Sequence, residues 1–183
     1  MQFKELHTDR LILRLYTPET ARHVFTTMTD AELMNFFGLE SAEALAREKE
    51  KFSLGVATYN RTFANFYLID KETGKVIGGC GYHTWAPDHR RAEIGYALDS
   101  EEHKQRGLMT EALIAILKYG FEEMNLHRIE ALTDPENAVS QKLLTRFGFV
   151  KEGVLRQHYV IDGVPTDSVA YSLLKPEFTT NTQ

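Results

Sequence analysis

Lys104-Gln105-Arg106-Gly107-Leu108-Met109-Thr110-Glu111 separates a run of strand character, Glu93 to Leu98, from one of helical character, Thr110 to Met124. A basic, glycine-containing turn that opens a helix gathers unpaired backbone N–H groups and the positive end of the helix dipole around one point. Such a point suits an anion, most often a phosphate. The stretch therefore predicts a seat for a phosphorylated small molecule.

Working outward, Arg128 to Thr133 reads as a strand, and Asp134-Pro135-Glu136 as the cap of a helix running to Phe147 and stopped by Gly148. Val150 to Leu155, Tyr159 to Ile161 and Val169 to Leu174 read as antiparallel strands, with Asp162-Gly163 as a hairpin turn. On the other side, Asn65 to Asp70 and Val76 to Trp85 are β-rich runs joined by a turn over Lys71 to Lys75, and Arg91 to Leu98 is a further strand. Leu11 to Leu15 reads as the first strand. Thr17-Pro18-Glu19 gives an N-cap with Pro at the first helical position, for a helix reaching about Met28. A second helical pattern covers Ala42 to Thr58, with Ala42, Leu45, Ala46, Phe52 and Val56 near helical spacing. No repeat, low-complexity tract or linker interrupts the chain, so residues 1–183 are expected to form a single domain. The order predicts an α+β fold in which two helices cross over the late strands of a mixed sheet.

Composition agrees with that expectation. At 183 residues, 43% hydrophobic and 26% charged, the chain can bury a sizeable core in one domain. A net charge of −5 argues against broad nucleic-acid binding, which usually shows a basic surplus. The lone Cys80 lies in a strand-like run and is expected to be an inert core thiol. No apolar run approaches the length of about 20 residues that a membrane helix needs, and the start shows no signal-peptide core. A cytoplasmic protein is the expectation. The His residues are scattered without Cys/His ligand spacing, so no metal is expected.

Three segments in register resemble the GNAT superfamily of acetyl-CoA-dependent N-acetyltransferases. They are Ala92-Glu93-Ile94-Gly95-Tyr96 before the turn, the turn itself, and Asn137-Ala138-Val139-Ser140 leading to Phe147-Gly148-Phe149. The turn is similar to the superfamily's Q/R-x-x-G-x-G/A loop, with Lys104 at the Q/R place and Met109 at the last Gly/Ala place. Gly107 to Ala112 and the Asn-x-x-Ser pattern resemble the Rim-type subfamily, which acetylates ribosomal-protein N-termini at alanine or serine. The resemblance implies a GNAT fold, a mixed and largely antiparallel splayed sheet flanked by helices on both faces.

It also implies roles. Lys104, Gln105, Arg106, Gly107, Leu108, Met109 and Thr110 would hold the pyrophosphate of acetyl-CoA through N–H groups and charge. The backbone of Tyr96, Ala97 and Leu98 would pair with the pantetheine arm, and a bulge at Gly95 would splay the strand. Asn137 and Ser140, spaced i, i+3 with Leu144 at i+7, share a helix face. Asn137 would bond the arm or the strand and Ser140 would meet the thioester sulfur, although both residue types also serve as local caps. Leu144 holds the place where many superfamily members carry a Tyr acid. A backbone N–H near Leu98 is the expected oxyanion donor. Glu93 is the expected general base, or else a strand carboxylate paired with Arg90 or Arg91, with His158 and Tyr159 as secondary candidates.

Phe36, Phe37, Tyr82, Trp85, His158 and Tyr159 are candidate walls of an acceptor cleft, and Asp30, Glu32 and Glu40 candidate attractors of a cationic amine. The expected partners are acetyl-CoA and an amine acceptor, a protein N-terminus among others, with neither membrane nor nucleic acid; a homodimer is left open. The expected function is acetyl transfer by direct attack in a ternary complex. The rivals are a non-catalytic acetyl-CoA sensor, an acetyltransferase of small amines (polyamine, aminoglycoside or amino acid), and an unrelated nucleotide-phosphate binder.

Overall fold

The computed structural model describes residues 2–55 and 62–179. One eight-stranded sheet runs in the order β1-β2-β3-β4-β5-β6-β8-β7. The strands are β1 Glu5–His7, β2 Leu11–Tyr16, β3 Thr62–Asp70, β4 Val76–Ala86, β5 Arg91–Leu98, β6 Arg128–Thr133, β7 Val150–Ile161 and β8 Val164–Leu174. Every pairing is antiparallel except β5 with β6. The helices are α1 Pro18–Thr27, α2 Asp30–Phe37, α3 Ala42–Ser53, α4 Leu108–Glu122 and α5 Ala138–Arg146.

Alternation along the strands sends side chains to two cores. Leu11, Leu13, Phe66, Leu68, Tyr82 and Ile94 join Leu113, Ile116 and Leu117 of α4 and Leu144 of α5 in the larger one. Val24, Leu33, Phe36, Phe37 and Leu45 form a smaller core under α1 to α3, with Tyr16 and Tyr67 packed against it. The sheet thus carries helices on both faces.

Thr17 caps α1 as the sequence predicts, its hydroxyl accepting from the Thr20 N–H. The pattern over Ala42 to Thr58 becomes α3, which ends at Ser53; Val56 and Thr58 lie outside the described residues. Two elements escaped the sequence reading, β1 and α2. The first has only three residues, while α2 opens with a full capping box between Thr29 and Glu32. Several boundaries move: the helix expected over Thr110 to Met124 is α4 at Leu108–Glu122, and the strand expected from Val169 starts at Val164 as β8. The cap of α5 is Asn137, not Asp134, whose carboxylate accepts from the Glu136 N–H in the preceding turn. The runs Val150–Leu155 and Tyr159–Ile161 are one strand with a register irregularity between Leu155 and Tyr159. The Asp162-Gly163 turn has positive φ at both residues (50° and 81°), as a tight hairpin needs.

β5 pairs with β6 only from Arg91 to Glu93, against Arg128 to Glu130. Beyond Glu93 the two strands diverge while β5 stays paired with β4 as far as Leu98. The expected bulge at Gly95 is absent: Gly95 pairs regularly with Gly81, and the splay comes from the divergence of β6.

Candidate active site

The turn at residues 104–111 leads into α4 and is held from behind. Gln105 and Gly107 have φ of 58° and 77°, so the chain reverses sharply before Leu108. Gly107 is the N-cap, and the Glu111 N–H is the first to find an intrahelical acceptor, the Gly107 carbonyl at 3.0 Å. The N–H groups of Gly107, Leu108, Met109 and Thr110 are thereby the helix's unpaired donors. Gln105, Arg106 and Gly107 are exposed, Leu108 is buried, and Met109 packs against the larger core. Lys104 is turned aside to Glu101. Among the described residues the Arg106 guanidinium makes no ion pair, which leaves it as the loop's cation for a ligand.

Glu111 closes the turn in a way the sequence did not announce. Its carboxylate accepts from Thr8 Oγ1 (2.5 Å), the Arg10 N–H (2.7 Å) and Arg10 Nε (2.7 Å), while Arg10 Nη1 donates to the Arg106 carbonyl at 2.9 Å. Burial pushes the Glu111 carboxyl up, but the bonds from Thr8 and Arg10 outweigh it and hold the group below the usual carboxylate range. The turn between β1 and β2 is thus bolted to the start of α4.

The splay between β5 and β6 holds a cavity of about 270 Å³ lined by Gly95, Tyr96, Thr133, Asn137, Ser140 and Leu144 among others. Asn137 caps α5, accepting from the Ser140 N–H at 3.0 Å, so the local role is realised and the side chain still borders the cavity. The Ser140 and Tyr96 hydroxyls meet at 2.8 Å across the splay. Burial raises the Tyr96 phenol above its ordinary value, so it stays protonated, and either hydroxyl can donate to the other. Thr133 Oγ1 is buried and has no hydrogen-bond partner among the described residues. An arm bearing amides fits a cleft that offers an orphaned hydroxyl and an unpaired strand edge.

A second cavity, of about 410 Å³, opens beside β3, β4 and β5, and Asn65, Tyr67, Gly79, Gly81, His83 and Gly95 contribute to its lining. The two cavities share Gly95 and Tyr96. Glu93, two residues before Gly95, is largely shielded (16% exposed) and stands 3.2 Å from His83 Nε2. Neither expected arginine partner takes it: Arg90 bonds Asn125 and Arg91 bonds Glu130. Tyr159, on the exposed β7, has its phenol raised by burial and by the charge of Glu93, so the β7–β8 hairpin reaches the same region. His158 instead contacts Ser168 Oγ at 3.2 Å.

Several candidates are placed elsewhere. Phe36 and Phe37 fill the smaller core, Tyr82 is fully buried with its hydroxyl donating to the Ile116 carbonyl, and Trp85 packs on the larger core. Asp30 pairs with Lys49 and Glu32 closes the α2 cap, so neither is a free attractor for an amine. Cys80 is buried, and burial pushes its thiol far up, as expected of an inert group. Among the described residues there is no cluster of three or more His, Cys, Asp or Glu suited to a metal ion, and no helix is long and apolar enough to cross a membrane.

A helix start with unpaired donors beside a sheet split between β5 and β6 agrees with an acetyltransferase of the GNAT family, and the chain belongs to that family. Residues 10–150 match the model described as an acetyltransferase (GNAT) domain, whose acyl donor is acetyl-CoA. The chain is an N-acetyltransferase. It is 37% identical to the uncharacterised N-acetyltransferase YoaA of Bacillus subtilis (strain 168), over 95% of this chain and 98% of that one. It is 29% identical to the ribosomal protein uS5-alanine N-acetyltransferase of Escherichia coli (strain K12), over 95% and 92%. In fold it is similar to the spermidine/spermine N-acetyltransferase SpeG from Vibrio cholerae, with a TM-score of 0.69, 22% identity and coverage of 95% and 99%.

Proposed function

We propose that residues 1–183 act as one domain that moves the acetyl group of acetyl-CoA to a primary amine by direct attack in a ternary complex, the acceptor being a protein N-terminus such as that of a ribosomal protein. The observation that carries this reading is the meeting of the two cavities at Gly95 and Tyr96. A thioester lying in the splay and an amine lying in the second cavity come together there without a covalent enzyme intermediate.

Gly107 to Thr110 and Arg106 hold the pyrophosphate, and the β5 edge from Tyr96 to Leu98 pairs with the pantetheine arm, with Asn137 at its side. The amine nitrogen attacks the carbonyl, whose oxyanion is met by a backbone N–H near Leu98. The departing thiolate meets Ser140, which is bonded to the Tyr96 hydroxyl. Glu93 supplies the negative charge for removing the ammonium proton. The protein-acceptor reading rests on likeness to the ribosomal-protein acetyltransferase. Such an acceptor places the reaction in the cytoplasm.

The test is incubation of the purified chain with acetyl-CoA, unacetylated ribosomal proteins and a small-amine panel, read by mass spectrometry. Gain of one acetyl group at a protein N-terminus is the expected result. Gain on spermidine alone would replace the acceptor class. Cofactor binding with no transfer to any member would make the chain a sensor.

A further inference from the structure

The group that reaches into the acceptor cavity is His83, with Glu93 behind it. His83 lines that cavity together with Gly95, and its Nε2 faces the Glu93 carboxylate at 3.2 Å. The Cε1–Nδ1 side of its ring lies against Gly95: a Cβ built there would sit 3.0 Å from His83 Cε1 and 3.4 Å from Nδ1. A carboxylate beside Nε2 favours the neutral tautomer with its proton on that nitrogen. Nδ1, the ring nitrogen nearer Gly95 where the two cavities meet, is then the one that carries the lone pair.

The backbone is bent to make this arrangement. Regular pairing of β4 with β5 runs up to His83 opposite Glu93 and breaks before Ala86. Thr84 has φ of 51°, a strained conformation for a β-branched residue. Such irregularities re-aim side chains next to reactive sites.

We propose that His83 is the general base of the transfer and that Glu93 is the positioning residue that fixes its tautomer and balances its charge. The assignment rests on the acetyltransferase reading above. The acceptor ammonium gives a proton to His83 Nδ1 and its N–H electron pair stays on nitrogen as the nucleophilic lone pair. The imidazolium, held by the Glu93 carboxylate, later returns that proton to solvent. Among the described residues, the ionisable groups facing the pair are Tyr67 of β3, which shares the cavity lining, Glu130 of β6, which pairs with Glu93 in register and is itself bonded by Arg91 of β5, and Tyr159 of β7, which feels the charge of Glu93. Arg91 and Glu130 neutralise each other at 2.8 Å.

The experiment compares the full-length chain with His83→Ala and His83→Gln, using the faster of an alanine-starting peptide and spermidine as acceptor. Rates are followed across pH, with and without added imidazole, and CoA affinity is measured by calorimetry. The expected result is a loss of about a hundredfold in kcat near neutrality, of the size general-base removal produces, with CoA affinity unchanged. Variant rates should rise in proportion to hydroxide where the unaltered chain levels off, and imidazole should restore part of the activity of His83→Ala. A full-rate variant, or an uncompensated loss with the same pH profile and no imidazole rescue, overturns the assignment while leaving the transferase standing. No turnover by the unaltered chain on either acceptor overturns both.

Discussion

Leu144 cannot serve as an acid, and in the proposed mechanism the two hydroxyls that would meet the thiolate come from different elements. Ser140 on α5 and Tyr96 on β5 touch at 2.8 Å, and burial keeps the phenol protonated. Tyr96→Phe and Ser140→Ala should each lower kcat by about a hundredfold if they share in protonating the thiolate. The double variant should be little worse than either single one, because residues acting as a unit are non-additive; steady-state kinetics with CoA release followed by thiol titration would show it. At this scale Ser140 and Asn137 were legible, since i, i+3 spacing puts them on one helix face whatever the tertiary context. The partner of Ser140 was not, because nothing local says which strand side chain faces α5. His83 was hidden for the same reason. It meets Glu93 through strand register across a ten-residue separation, and only the irregularity after it turns its ring over Gly95.

Among the elements, α4 carries both the turn proposed to hold the cofactor and the central packing. Gly120 lies inside it, where Gly normally costs about 1 kcal/mol relative to Ala. It is retained because a Cβ there would stand 2.2 Å from the Tyr82 hydroxyl, which enters the helix to reach the Ile116 carbonyl. Gly120→Ala should therefore destabilise, by about 1–3 kcal/mol as overpacking does, and a thermal melt would read it. At the other end of α4, Glu111→Gln should weaken the clamp on Arg10 and raise KM for acetyl-CoA more than it lowers kcat. Most elements could be read from caps and periods, Thr17 before α1 and Asp162-Gly163 between β7 and β8 among them. The α2 cap was also written in the chain, as Thr29 followed three residues later by Glu32. Glu111 stood within the opening stretch but its role did not, since its partners Thr8 and Arg10 lie 103 and 101 residues away.

For the whole molecule, the β7–β8 hairpin is tied to the sheet by polar contacts. Arg128 grips Glu152 with two bonds (2.8 and 2.5 Å), and Ser172 donates to the same carboxylate. Arg128 first, then Ser172, hold the Glu152 carboxyl down at about 2 against an ordinary 4.5. A depressed carboxyl contributes stability that is complete above 4.5 and is lost as pH falls toward about 2. Because Glu152 is 42% exposed, solvent screening keeps the contribution small. Hydrogen exchange should accordingly show the hairpin loosening in acid before the larger core does. A second whole-molecule expectation concerns the cofactor. CoA at a hundred times its Kd should stabilise the fold by about 2.7 kcal/mol, equivalent to roughly 5–10 °C in Tm for a domain of this size.

The three paired residues that join β5 to β6 have a mechanical meaning. Along β5 from Ile94 onward the sheet lacks β6 on one side, and in the proposed binding mode the pantetheine arm would become a temporary member of it. β5 is also part of the wall of the acceptor cavity, so the reactant that completes the ladder stiffens the surface on which the other reactant must settle. The two affinities are then coupled, and by reciprocity each substrate must tighten the other to the same degree. Kinetically this favours an ordered sequence, acetyl-CoA entering first and free CoA leaving last, with the acetylated product released while the seam is still closed.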